Sequence, residues 1–292
     1  MNWFDGLEEI IKQNEPLARY NWFRLGGAAE YFVRPQSVQQ LQEVTRRCGE
    51  NDIPVRVLGL GANILVNDEG VEGVVIRLDA PAFTKVSFEG TRCFCGAGVD
   101  MQKLIYHCLR RGNRGLECLT GIPGTVGGGA RMNAGGRFGD IGTRIRRLKL
   151  MSDEGSIFLR EKPDLVFAYR SCNVQERFIL GAEFMLDEDD PDRIMQAVKE
   201  VWIYKKNSQP LSSHNAGCIF RNPEGESAGR LIDRAGLKGY REGTAMVSEK
   251  HANFIITDQS TRTIDVKKLI NTMRQKVHEQ FGVNLETEVV MW

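Results

Sequence analysis

Apolar positions along the chain alternate between two periods. Residues 25–35 read L-G-G-A-A-E-Y-F-V-R-P, an apolar run of strand character; Ser37 then stands as a helix cap before Val38, Leu41, Val44 and Cys48, which share one helical face. A β-α unit is predicted. The β-branched run 55–58, the loop 59–63 (G-L-G-A-N), the strand-like 64–66 and the apolar run 74–78 follow, so strand and not helix leaves that loop. Asp100 predicts the cap of a second helix, with Met101, Leu104, Ile105, Cys108 and Leu109 along one stripe and Gly112 as its end. Strands are expected at 148–151 and 178–184. Pro191 suits a first helical turn, with Ile194, Val198, Val201 and Trp202 continuing on one face. A short helix at 228–234, a strand at 253–257 and a helix capped by Asp265, with Val266, Leu269, Ile270, Met273 and Val277 inward and Gly282 at its end, complete the pattern.

This order of elements predicts a mixed α+β protein. At 292 residues the chain exceeds what one core usually serves. Three segments are expected: 1–24 as an N-terminal piece, 25–190 as one domain and 191–292 as a second.

Thirty-nine Lys+Arg against thirty-eight Asp+Glu leave a formal net charge of +1, with no basic block to follow a nucleic-acid backbone, so no nucleic-acid partner is expected. No apolar run reaches spanning length and the start lacks a leader pattern, so the expectation is a cytoplasmic protein without a membrane partner. Seven cysteines without a C-x-x-C pair make neither a disulfide framework nor a zinc site, and the four histidines share no ligand spacing, so no metal is expected.

Seven glycines fall within residues 121–136, G-I-P-G-T-V-G-G-G-A-R-M-N-A-G-G. Backbone this bare of Cβ atoms can aim successive amides at one point, which suits a diphosphate. A Walker loop would end in Gly-Lys-Ser/Thr, which is absent. Nor does G-L-G-A-N open a helix as a dinucleotide fingerprint must; the position of Asp79, twenty residues beyond Gly59, is read as coincidence.

Three blocks, V-L-G-L-G-A-N-I-L-V (57–66), the glycine segment (121–136) and F-A-Y-R-S (167–171), together resemble the UDP-N-acetylenolpyruvoylglucosamine reductase family. The likeness continues through G-C-I-F-R-N-P (217–223), A-G-R-L-I-D-R-A-G-L-K-G-Y (228–240), V-S-E-K-H-A-N-F-I (247–255) and L-E-T-E-V (285–289). It implies a two-part FAD-binding domain of the PCMH (vanillyl-alcohol-oxidase) type, a C-terminal α+β substrate-binding domain, non-covalent FAD and NADPH as co-substrate. The implied reaction reduces the enolpyruvyl ether of a UDP-sugar to UDP-N-acetylmuramate, and the protein is expected to act as a monomer.

Through the same likeness, Gly59, Gly61, Ala62, Asn63, Leu65, Thr120, Gly121, Pro123, Gly124, Thr125, Gly127, Gly128 and Asn133 would hold FAD, while Tyr169, Arg170, Lys206, Arg221 and Asn222 would meet substrate. Arg170 matches the arginine that grips the carboxylate, Glu288 the C-terminal glutamate that polarises it or manages a proton, and position 218 the proton donor. The family usually has serine there; this chain has Cys218. A thiol with a reference pKa of about 8.5 is mostly protonated near neutrality and can donate, provided that Arg170 does not pair with it directly. Cys172, Ser208 and Met246 are further departures from the family pattern. Two alternatives stand beside this reading: another flavin oxidase of the same fold, and a nucleotide-sugar-binding protein whose catalysis is impaired.

Overall fold

The computed structural model describes residues 2–292. The chain separates into two compact units, one of residues 1–13, 31–60 and 72–203, the other of 14–30, 61–71 and 204–292. The polypeptide therefore passes between them five times, at 13/14, 30/31, 60/61, 71/72 and 203/204.

In the first unit, helix α1 (Val38–Glu50) begins where Ser37 accepts the amide of Gln40, as its spacing predicts. It buries Leu41, Val44 and Cys48 beside the strand Val55–Leu58, which runs parallel to Val71–Arg77 with Val55 opposite Val74. A five-stranded antiparallel sheet forms the other part, in the order Ile157–Glu161, Ile145–Met151, Phe178–Met185, Arg92–Gly96, Val86–Glu89. The all-buried run Phe178–Phe184 is explained by its central place in that sheet. Helix α2 (Met101–Arg110) packs Leu104, Ile105 and Cys108 into the same core, capped by Asp100 through the amide of Gln102 at 2.7 Å.

The glycine segment contains a short helix, α3 (Val126–Arg131), where only loop is expected from composition. Glycine disfavours helix, but Val126 and Ala130 are fully buried and Thr125 accepts the amide of Gly128, so packing and a cap override propensity. Helix α4 (Pro191–Ser208) starts at its proline as predicted.

In the second unit, helix α5 (Ala228–Arg234) and helix α6 (Thr263–Phe281) enclose one core with the strand pair Ala245–Val247 and Ile255–Ile256. The predicted strand at 253–257 is only these two residues long, because Asn253 turns its side chain and carbonyl to residues 219–220. Asp265 does not cap α6 from outside. It sits in the first turn and reaches back to the amide of Arg262 at 3.3 Å, while Asp68 accepts the amides of Thr263 (2.9 Å) and Ile264 (3.2 Å).

Candidate functional site: a glycine-walled cleft and a bridged cysteine–glutamate segment pair

Two of the predicted glycine blocks meet in the first unit. A Cβ placed on Gly59 would come within 2.8 Å of Thr125 Oγ1, and Gly59, Thr125, Gly127 and Gly128 line one open cleft. Sequence reasoning missed Gly98, Arg77, Arg131, Arg177 and Asp79 on its walls. The G-A-G at 96–98 was the available signal for Gly98. Asp79, read as a coincidence of spacing, does lie here, and both of its carboxylate oxygens are engaged by arginines: Arg34 forks onto it at 3.0 Å twice and Arg77 reaches it at 3.1 Å.

The amides of the glycine segment are more committed than composition suggests. Gly121 donates to Gln102 Oε1 (2.9 Å), Val126 to the Val99 carbonyl (2.8 Å) and Gly127 to the Ala97 carbonyl (2.8 Å). These glycines thus serve close approach of wall to wall as much as ligand binding. Burial depresses the pKa of the Arg131 guanidinium below its ordinary value; it donates to the carbonyls of Val174, Glu176 and Arg177 and so ties the cleft helix to that loop.

Asn133 and Arg170 form a second cluster in the same unit. Asn133 is buried, has φ +42°, donates to the Ala168 carbonyl (3.0 Å) and accepts the Gly142 amide (3.0 Å). Ala168 and Ser171 pair across a hairpin whose two-residue tip is Tyr169-Arg170. Arg170 has φ +56°, which for a bulky side chain costs about 1–3 kcal/mol, and its guanidinium donates to the Gly135 carbonyl at 3.0 Å and lies 5.1 Å from the Tyr169 ring centre. Strain is stored at the tip that presents the arginine.

Cys218 and Glu288 belong to paired segments of the second unit. Glu288 donates its amide to the Ile219 carbonyl (2.7 Å), Arg221 donates to the Glu286 carbonyl (2.9 Å), and Phe220 bridges Thr287. Asn253 pins the first segment, accepting the Phe220 amide (3.0 Å) and donating to the Phe220 carbonyl (2.8 Å). Asn63 holds the other, donating to the Glu288 carbonyl at 3.1 Å. The predicted cofactor positions Gly61 to Leu65 are thus part of this unit's own framework. Gly61 has φ +65° and a Cβ there would lie 2.2 Å from the Tyr20 carbonyl; Leu65 is fully buried in the core. Arg221 Nε is buried without a hydrogen bond, a donor with capacity to spare. Asn222 accepts the Ala228 amide (3.0 Å) and so helps start α5, while Lys206 lies in the last turn of α4, its carbonyl accepting from Lys250 Nζ.

Comparison with known proteins decides the family. Residues 209–292 match the model of the C-terminal domain of UDP-N-acetylenolpyruvoylglucosamine reductase, and residues 29–159 match that of an FAD-binding domain. UDP-N-acetylenolpyruvoylglucosamine reductase 2 of Symbiobacterium thermophilum is 39% identical over 97% of this chain and 92% of its own length. The reductase of Bacillus subtilis is 36% identical over 96% of this chain and 93% of its own. The chain belongs to the UDP-N-acetylenolpyruvoylglucosamine reductase family. The crystal structure of the family member from Thermus caldophilus superposes with a TM-score of 0.82 at 35% identity, covering 97% of this chain and 98% of that one. The expected α+β class with an FAD-binding domain is therefore the fold of this protein.

The cleft fits the family's flavin dinucleotide. At Gly128 a Cβ would meet only Thr125 Oγ1, at 3.5 Å, and would otherwise project into the open space, so the cradle is one that any side chain would begin to fill. Arg77, Arg131 and Arg177 line its walls, Arg77 paired with Asp79, Arg177 with Asp153 and Arg131 with three main-chain carbonyls. Among the described residues no helix is long and apolar enough to cross a membrane, and no group of His, Cys, Asp and Glu is arranged to hold a metal ion.

Proposed function

We propose that this protein reduces UDP-N-acetyl-3-O-(1-carboxyvinyl)-glucosamine to UDP-N-acetylmuramate with NADPH through FAD, a step of peptidoglycan precursor synthesis. The observation that carries the reading is full-length membership of the reductase family together with a glycine-walled cleft that a flavin fits. FAD bound in this cleft would supply the hydride relay between NADPH and the alkene carbon. Bound FAD would lie against Gly59 and the stretch formed by Thr120, Gly121, Pro123, Gly124, Thr125, Gly127 and Gly128, supported by the buried Asn133; Gly61, Ala62, Asn63 and Leu65 would contribute through main chain.

The chain's own residues then deal with charge and proton. Arg170, a fixed fork on a strained hairpin tip, grips the substrate carboxylate and stabilises the negative charge that builds on it. Glu288, on the segment paired with residues 219–221, polarises that carboxylate or manages a proton. Cys218 gives its thiol proton to the carbon next to the one that accepts hydride. Tyr169, Lys206, Arg221 and Asn222 bind substrate, and the buried Arg221 Nε, without a protein partner, supports an anionic ligand group nearby. A cytoplasmic monomer completes the proposal. Seven cysteines, none of them in a disulfide, are the usage of a reducing compartment.

Stopped-flow kinetics test the assignment. Cys218→Ala should leave flavin reduction by NADPH intact and slow reoxidation by the enolpyruvyl substrate about 10²–10⁴-fold, the usual contribution of a positioned acid, while Cys218→Ser keeps measurable turnover. Equal turnover by wild type and Cys218→Ala would remove the donor role. If reduced enzyme returned to oxidised flavin with oxygen and ignored the UDP-sugar, the reductase reading would fail.

A further inference from the structure

The turn that leads into the cleft is held by a side chain from another element. Gln102, in the first turn of α2, donates from Nε2 to the carbonyls of Leu119 (3.2 Å) and Ile122 (2.8 Å) and accepts the Gly121 amide on Oε1 (2.9 Å). Both amide protons and the carbonyl oxygen of the side chain are thus in use. The three bonds grip one turn, whose own closing bond runs from the Ile122 amide to the Leu119 carbonyl at 2.9 Å. Gln102 is itself placed by Asp100, which accepts its main-chain amide, and next to it Met101 donates to the Gly124 carbonyl at 3.0 Å. Asp100 and Thr125 close the ladder as a bridge pair. From Leu119 to Thr125, the entry to the cleft is therefore tied to the start of α2 at five residues, Leu119, Gly121, Ile122, Gly124 and Thr125.

We infer that Gln102 is a positioning residue for flavin binding, fixing the Leu119–Gly124 turn so that Thr125, Gly127 and Gly128 face the cleft before any ligand arrives. The inference rests on the proposal that this cleft holds FAD. Its physical basis is conformational entropy. A glycine-rich turn has many accessible backbone states, and a ligand that must itself select one binds more weakly than a ligand meeting the turn already set. Gln102 reads the turn through main-chain groups only, so it specifies the conformation whatever the side chains there. Because Gly121 N–H is spent on Gln102, this amide is a constraint on the loop and not a donor to the diphosphate.

Titration of deflavinated full-length protein with FAD, followed by quenching of flavin fluorescence, tests the assignment. Gln102→Met removes all three bonds at similar volume, and Gln102→Glu keeps an acceptor for Gly121 but loses both donors. Each should raise the FAD dissociation constant about tenfold or more, as expected when two or three modest hydrogen bonds are lost. In Gln102→Met the Gly121 amide should also lose protection from hydrogen exchange while amides in the middle of α2 keep theirs. A residue that merely stabilised the fold would lower the melting temperature of the apoprotein and leave the flavin affinity of the folded fraction unchanged, which would overturn the inference. If wild type took up no FAD, the flavin reading would fall and this inference with it; if wild type bound and both variants bound equally well, only the inference would fall. Should the variants not fold, exchange in deflavinated wild type decides: a protected Gly121 amide supports a preset turn, and exchange at the open-chain rate rejects it.

Discussion

The glycine-walled cleft of the first unit and the bridged segments carrying Cys218 and Glu288 in the second reach order by opposite means. Around the cleft, precision comes from what is missing: Gly98 lets backbone approach backbone, Gly59 and Gly127 let the side chains of Thr125 and Ala97 close in, Gly128 leaves the cleft open, and most of the hydrogen bonds are main chain to main chain. Around Cys218, it comes from what is present, since the buried amide of Asn253 ties both polar groups of Phe220 and Asn63 holds the Glu288 carbonyl. The first region should fail when an atom is added and the second when one is removed.

The largest effect tests the additive half. A Cβ at Gly98 would lie 1.8 Å from the Leu78 carbonyl, a main-chain atom that cannot step aside, so Gly98→Ala should destabilise the first unit by about 3 kcal/mol or more in urea denaturation. A tolerated alanine there would break the comparison. Next comes the subtractive half. Asn253→Ala leaves the buried N–H and C=O of Phe220 without their partners and should cost about 2–3 kcal/mol, with turnover falling further than flavin affinity because the Cys218 segment is the one released. Equal losses of flavin binding and turnover would contradict the separation of the two regions.

Gly128→Ala sharpens the contrast with two effects of opposite sign. Alanine inside α3 should raise apoprotein stability by up to about 1 kcal/mol through helix propensity, yet its methyl stands in the cleft and should weaken FAD binding. Calorimetry of the apoprotein beside flavin titration measures both, and unchanged flavin affinity would dissociate this part of the cleft from the cofactor.

The smallest effect is a pH dependence in the second region. Burial holds the His251 pKa below its ordinary value, with Lys238 adding to the shift, and the Asn253 amide donates to His251 Nδ1 at 3.2 Å, which needs the unprotonated ring nitrogen. A folded pKa below the unfolded one means that the stabilisation is present above the unfolded value of about 6.5 and is lost as pH falls through the folded value. Melting temperature should therefore decline between pH 7 and 5 more in wild type than in His251→Gln. Parallel curves would show that His251 does not titrate in this way.

Much of this molecule was legible in its residues because the signals are local. Ser37 and Asp100 cap the helices they precede, Pro191 opens α4, and the stripes of α1, α2 and α6 bury the faces that their spacing predicts. The glycine block announced the cleft, and the family motifs named Arg170, Cys218 and Glu288 before any geometry was known. What local signals could not carry were partners far along the chain. Asp68 caps α6 from 195 residues away, Asn63 reaches Glu288 across 225, and Asp79 enters the cleft wall only because its strand pairs beside Val55–Leu58. The α3 helix is of the same kind: its glycines argue against helix, and burial of Val126 and Ala130 decides for it. Spacing and propensity act over a few residues, and so the sequence by itself determined the elements, their ends and the chemical cast. Which distant main-chain group each buried polar atom would satisfy depends on how the elements pack, and only the tertiary structure decided that.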